Sequence, residues 1–144
     1  MVIIRPISET FLVKGFRETF ENLRSLGNMS TDDLVAILKK ICKNPNHFIF
    51  VALEDHNVVV GSITLIVEQK FIHDGGLVGH IEDVVVRRGF ERRGIDRQLV
   101  AEAVDCARTS GCYKVIFDCD RSHVALYEKY GFREHEIEMR MDLL

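Results

Sequence analysis

Between Ile81 and Cys119 the hydrophobic period changes twice, and that leaves few folds open. Ile81 to Val86 reads as a strand, ending in Val84-Val85-Val86. After a polar loop, Ile95, Leu99, Ala103 and Ala107 recur at helical spacing as one inner stripe, and Gly111 supplies the stop. Tyr113 to Cys119 then returns to a strand, apolar enough to predict a central position. A helix set between two strands in this way predicts an α/β layer.

The rest of the chain extends the pattern. Val2–Arg5 predicts a strand ended by Pro6. Glu9 to about Arg24 predicts a helix with Phe16 and Phe20 at i, i+4 and Leu23 near the same face, broken by Gly27-Asn28. Ser30 with Asp33 three residues on reads as a carboxylate capping box. The helix it opens carries Leu34, Ile37, Leu38 and Ile41 on one stripe and ends at Asn44-Pro45-Asn46. His47–Glu54 and Val58 to about Lys70 predict an antiparallel hairpin around Asp55-His56-Asn57, with His73–Gly76 as a loop. His123–Tyr130 predicts a short helix stopped by Gly131. Ile137–Leu143 predicts a last strand, its apolar Ile137, Met139, Met141 and Leu143 alternating with Glu138, Arg140 and Asp142. The expected order is β-α-α-β-β-β-α-β-α-β with a mixed central sheet, one α/β domain over residues 1–144.

Composition narrows the function. With 19 Lys+Arg against 22 Asp+Glu the net charge is −3, which argues against a dedicated nucleic-acid binder. No apolar run approaches a membrane span, and Met1–Pro6 shows no basic region ahead of a long apolar stretch, so no secretory signal and a cytoplasmic protein are expected. Cys42, Cys106, Cys112 and Cys119 form no C-x-x-C pair and read as reduced, packed thiols.

The chemistry concentrates at His80–Leu99. Arg87, Arg88, Arg92, Arg93 and Arg97 stand against only Glu91 and Asp96, a local balance of 5 − 2 = +3 on an acidic chain. Gly94 then opens a helix whose free N–H groups and dipole favour an anion, so a polyphosphate is one guest. A solvated basic loop ahead of an ordinary helix is the other reading. His73 and His80 lack ligand spacing, and no metal site is expected.

These runs resemble the GNAT superfamily of acetyl-CoA-dependent N-acetyltransferases. Lys70-Phe71-Ile72-His73, Gly79–Val86, Gly111–Ile116 and Tyr127–Phe132 are similar, within it, to the eukaryotic glucosamine-6-phosphate N-acetyltransferases. The resemblance implies the GNAT fold, acetyl-CoA as co-substrate, no metal, and an amino-sugar phosphate acetylated for the UDP-N-acetylglucosamine pathway by direct amine attack. It implies that Val84, Val85 and Val86 bind the pantetheine arm through backbone groups, and that Arg92, Arg93, Gly94, Ile95, Asp96 and Arg97 wrap the pyrophosphate. His123, Tyr127 and Lys129 complete the CoA site. Tyr127 and Asp118 are the implied catalytic pair, the phenol serving the leaving thiolate and the acid orienting or deprotonating the amine. Lys70, Phe71, Ile72, His73, Glu82, Asp83, Asp118 and Arg140 are the implied sugar-phosphate residues. Glu82 and Asp83 are adjacent on a strand, so at most one side chain enters the pocket, and buried acids there favour a cationic amine. A homodimer sharing its C-terminal strand, with Arg140 acting in trans, is implied as well.

The chain departs from the family at Glu91, where Gln or Arg is usual, and at Asp96, where Gly or Ala is usual. His123 replaces an Asn, and Asp142 falls where an arginine is placed. Other readings stay open on the residues alone: Tyr127 as an aromatic anchor, Asp118 as a helix cap, Arg140 as a solvated edge charge, Cys119 as a buried thiol. For the whole chain they include a GNAT acting on another small amine, or a catalytically weak CoA-binding dimer.

Overall fold

A computed structural model describes residues 1–144. Five strands form one sheet in the order β1-β2-β3-β4-β5: β1 Ile3–Pro6, β2 His47–Glu54, β3 Val58–Gln69, β4 Leu77–Val86 and β5 Cys112–Ile116. The first three junctions are antiparallel and β4–β5 is parallel, so the sheet is mixed. Helices α1 Phe16–Phe20, α2 Thr31–Cys42, the single turn α3 Ile72–Gly75 and α4 Ile95–Thr109 fill the connections, and α5 Val124–Lys129 follows β5. No helix is long and apolar enough to cross a membrane.

The β4–α4–β5 unit follows the expected periods. Ile95, Leu99, Ala103 and Ala107 are all buried and lie on Val60, Ile63, Leu65 and Ile81 of the sheet. Their approach is close because β3 carries Gly61 beneath them. A Cβ at Gly61 would stand 3.0 Å from Leu99 Cδ1 and 3.1 Å from Ile95 Cγ2. The α4 N-terminus, where an anion would bind, is thereby set by sheet packing rather than by the loop before it. On the other sheet face Leu12, Leu34 and Leu38 form a second cluster. The Ser30–Asp33 capping box opens α2 as expected, with Asp33 N–H donating to Ser30 Oγ and Ser30 N–H to Asp33 Oδ2.

Four expectations are corrected. The Glu9–Arg24 helix breaks at Gly15, where φ is 88° and a Cβ would meet the Val59 carbonyl at 2.6 Å. A 3-10 turn over Glu9–Val13 and the short α1 replace it. Phe16 and Phe20 still meet, with ring centroids 4.7 Å apart. The Tyr113–Cys119 strand is shorter, Cys112–Ile116, and forms a sheet edge rather than the centre. The Ile137–Leu143 strand does not form. It pairs with no strand of its own chain, and Ile137, Met139, Met141 and Leu143 are 82–89% exposed. The four thiols are free, but Cys42 and Cys119 are exposed rather than packed.

Candidate active site

β4 and β5 pair only from Leu77–Cys112 to His80–Ile116. Past that point β5 ends and β4 runs on to Val86 with β3 on one side alone. The opposite edge of β4, through Val84, Val85 and Val86, therefore offers peptide groups to a ligand. One residue extra on β4 deepens the departure. Ser62 opposes Val85 while Thr64 opposes Glu82, and Asp83 takes up the bulge at φ 48°.

A cavity of ≈ 730 Å³ opens where the strands part. Of the expected residues it gathers Glu82, Asp118 and Tyr127, and His80 also lines it. Asp83, the bulge residue, is outside the lining. Both Glu82 and Asp118 are exposed in the single chain rather than buried. Partial burial, then the negative neighbours Asp118 and Asp83, push the Glu82 carboxyl above its usual range. A cation placed between Glu82 and Asp118 would relieve that crowding. Asp118 caps no helix: neither the turn Arg121–His123 nor α5 has a side-chain cap hydrogen bond. Cys119 is exposed, yet its thiol is raised by partial burial and by Asp120, Asp118 and Glu134, which disfavours a nucleophilic thiolate.

Tyr127 sits half-buried on α5 in an aromatic cluster. Its ring lies 4.4 Å from Phe117, 5.8 Å from Tyr130 and 6.3 Å from Phe132, each edge to face. Burial first, then the charge of Asp96, pushes its phenol up to about 12. It is a neutral donor at any ordinary pH.

The basic loop has its own scaffold. Glu91 Oε2 accepts the Gly89 N–H at 2.8 Å, and Glu91 Oε1 accepts Asn22 Nδ2 at 3.0 Å. The same Asn22 amide donates to the Val86 carbonyl at 2.7 Å. Glu91 is thus a latch within the loop, and the Gly89 amide hydrogen bond holds its carboxyl below the usual range. Arg92 stands at φ 63° and Arg93 lies over the Phe90 ring at 4.8 Å. Gly94, at φ 76°, caps α4, whose first internal bond is Gln98 N–H to Gly94 O. The N–H groups of Ile95, Asp96 and Arg97 are left for an anion. The Asp96 carboxylate is turned aside, accepting the Tyr130 hydroxyl at 3.2 Å.

The remaining expected residues lie outside the cavity lining. Lys70 Nζ and His80 Nε2 converge on Glu68 Oε1 at 3.0 and 2.8 Å. His73 stacks on Tyr113 with centroids 3.9 Å apart, and Phe71 and Ile72 are exposed. His123 and Lys129 are exposed at the two ends of α5. Arg140 is exposed and bonded to Asp142 at 2.8 Å. Sequence reasoning missed Glu68, Asn22 and Tyr130. Strand alternation put Glu68 and His80 on one face once the β3–β4 register was known; Asn22 and Tyr130 carry no local signal.

The Acetyltransferase (GNAT) family matches residues 12–132. This chain belongs to that family. The glucosamine 6-phosphate N-acetyltransferase of Candida albicans is 33% identical over 136 residues, 94% of this chain and 91% of that protein. The Trypanosoma brucei brucei enzyme of that name is 45% identical over 85 residues, but the match spans only 59% of this chain and 58% of that protein. The crystal structure of glucosamine-6-phosphate N-acetyltransferase from Arabidopsis thaliana superposes with a TM-score of 0.95 at 29% identity, covering 99% of each chain. The chain is thus a GNAT acetyltransferase, and the notch between β4 and β5 is its candidate active site.

Proposed function

We propose that this acetyltransferase moves the acetyl group of acetyl-CoA to the amino group of D-glucosamine 6-phosphate. The observation that carries the reading is the notch itself: Glu82 on the β4 wall, with Asp118 and Tyr127 on the other, around one cavity. The two carboxylates suit a protonated amine, and Asp118 orients it or takes its proton. The free amine then attacks the thioester carbonyl while a backbone N–H near Val84 meets the developing oxyanion. Tyr127 donates its O–H to the departing sulfur. No covalent enzyme intermediate is required. The unpaired β4 edge suits the pantetheine amides, and the α4 N–H groups with Arg92, Arg93 and Arg97 suit the pyrophosphate, helped by His123 and Lys129. Glu91 and Asp96, whose carboxylates are engaged by Asn22, Gly89 and Tyr130, are compatible with that binding.

The choice of sugar phosphate rests on the relatives' names, supported by Lys70, which shares Glu68 with the cavity-lining His80. The exposed alternation of Ile137, Met139, Met141 and Leu143, with the open outer edge of β5, supports a homodimer exchanging these segments. Arg140 would then reach the partner's sugar phosphate. Free thiols fit a reducing compartment such as the cytoplasm.

The test is release of CoA thiol from acetyl-CoA across a panel of amines. Turnover with glucosamine 6-phosphate and much less with unphosphorylated glucosamine is expected. Equal turnover of the two sugars refutes the phosphate reading, and binding of acetyl-CoA with no turnover on any amine refutes the enzyme reading.

A further inference from the structure

The Asp96 carboxylate is out of place by the family pattern, at the second residue of α4, where a polyphosphate is expected close to the backbone. Its partner explains where it goes. The Tyr130 hydroxyl donates to Asp96 Oδ2 at 3.2 Å, joining residues 34 positions apart and tying the start of α4 to the end of α5. Arg97 lies over the same Tyr130 ring, its guanidinium 5.8 Å from the centroid. The Tyr130 ring in turn stands nearly perpendicular to Tyr127, at 88° and 5.8 Å. The catalytic phenol is therefore wedged between rings that are themselves held, Phe117 and Phe132 by packing and Tyr130 by a charged clasp.

We propose that Asp96 is a positioning residue for the acetyl transfer: by holding Tyr130 it fixes the seat from which Tyr127 addresses the leaving sulfur. The inference rests on the function proposed above. The Asp96 charge also acts on both phenols, after burial, in raising Tyr127 and Tyr130 above the usual range. The other groups acting on Tyr127 are Cys119 and Tyr130, and Arg97 opposes Asp96 at Tyr130. Because α5 is only 6 residues long and has no side-chain cap, a clasp from α4 has something to hold.

The experiment is a double-mutant cycle with a conservative rescue. Asp96→Ala and Tyr130→Phe should each lower kcat by about three- to thirtyfold, the cost of a small misplacement of a reacting group, with KM for acetyl-CoA little changed. The double variant should be no worse than either single one, since both break the same bond. Asp96→Asn, which still accepts the Tyr130 hydroxyl, should recover most of kcat. Additive losses, or a raised acetyl-CoA KM with kcat intact, would overturn the proposal and assign Asp96 to the pyrophosphate site instead. A readout independent of turnover separates this proposal from the function it rests on. The chain has 3 Tyr and no Trp, so tyrosinate absorbance is clean. In a Tyr113→Phe background, which leaves only the two phenols beside Asp96 to titrate, Asp96→Asn should move the onset to lower pH, because both lose a negative neighbour. An unchanged onset refutes the clasp even if the enzyme turns over; a shifted onset with no turnover by the wild type refutes the function and removes the clasp's catalytic role.

Discussion

Replacing Tyr127 by Phe removes one oxygen and leaves the ring. The ring contacts with Phe117, Tyr130 and Phe132 persist, and the hydroxyl makes no hydrogen bond within the chain, so the fold loses almost nothing. The catalytic loss follows from the acidity of the phenol. At about 12 it is over three units above a thiol's usual value of about 8.5. Full proton transfer to the departing thiolate would run uphill by about 4.8 kcal/mol, at 1.36 kcal/mol per unit. Tyr127 therefore works as a hydrogen-bond donor to the charge growing on sulfur, not as an acid that surrenders its proton early. A hydrogen bond to a charged group contributes about 1.5–3 kcal/mol, or roughly 10- to 150-fold in rate. We expect Tyr127→Phe to lower kcat within that range, in a thiol-release assay, with acetyl-CoA affinity and Tm unchanged. The wild type should show no alkaline fall in kcat from this group up to about pH 10, because the protonated phenol is the working form. A kcat within twofold of wild type would make Tyr127 a packing residue, and a loss near a millionfold would mean it does more than donate one bond.

The remaining predictions use the same geometry. Glu91→Ala removes the acceptor shared by Gly89 and Asn22, and should weaken acetyl-CoA binding several-fold by calorimetry; unchanged affinity would mean the loop holds its shape without the latch. Glu82→Gln should raise Tm at neutral pH while abolishing most turnover, since a carboxyl pushed up on folding destabilises the folded state above its pKa; the gain should vanish in acid, and a lower neutral Tm refutes it. Glu68, Asp33 and Glu91 run the other way: their carboxyls are held low by His80 with Lys70, by Ser30 and by the Gly89 amide, so their stabilisation is present above the usual carboxylate range and is lost as pH falls through the lowered values. Thermal melts should show that acid loss, reduced in Glu68→Gln. Deleting residues 137–144 should leave a folded monomer by light scattering without sugar-phosphate turnover; a surviving dimer would exclude this segment as the interface.

What was legible in the sequence was whatever the chain settles by period. Ile95, Leu99, Ala103 and Ala107 found the sheet because a four-residue repeat has one buried solution, and Ser30 with Asp33 opened α2 because a cap is local. The alternation at Ile137–Leu143 has the same clarity, yet the segment pairs with neither open edge of its own sheet, β1 or β5, so the pattern specifies a strand that the single chain leaves unmade. Tyr113–Cys119 was placed centrally for a related reason. Apolar composition reports that a strand is covered, not by which chain, and β5 is an edge with one side open. The site divides along the same line. Glu82, Asp118 and Tyr127 meet because β4, β5 and α5 follow from periodic segments, whereas Asp96 with Tyr130 and Glu91 with Asn22 are long-range polar pairs that no window of sequence contains. Both pairs start from a residue that breaks the family pattern. A carboxylate beside an anion site is repulsive unless a donor engages it, and the Tyr130 hydroxyl is such a donor. The Asp96 carboxylate is thus engaged within the fold rather than left facing the anion site. Restoring glycine at position 96 should free the Tyr130 hydroxyl and cost kcat before it improves acetyl-CoA binding; a gain in affinity with kcat intact would show that the two positions act separately.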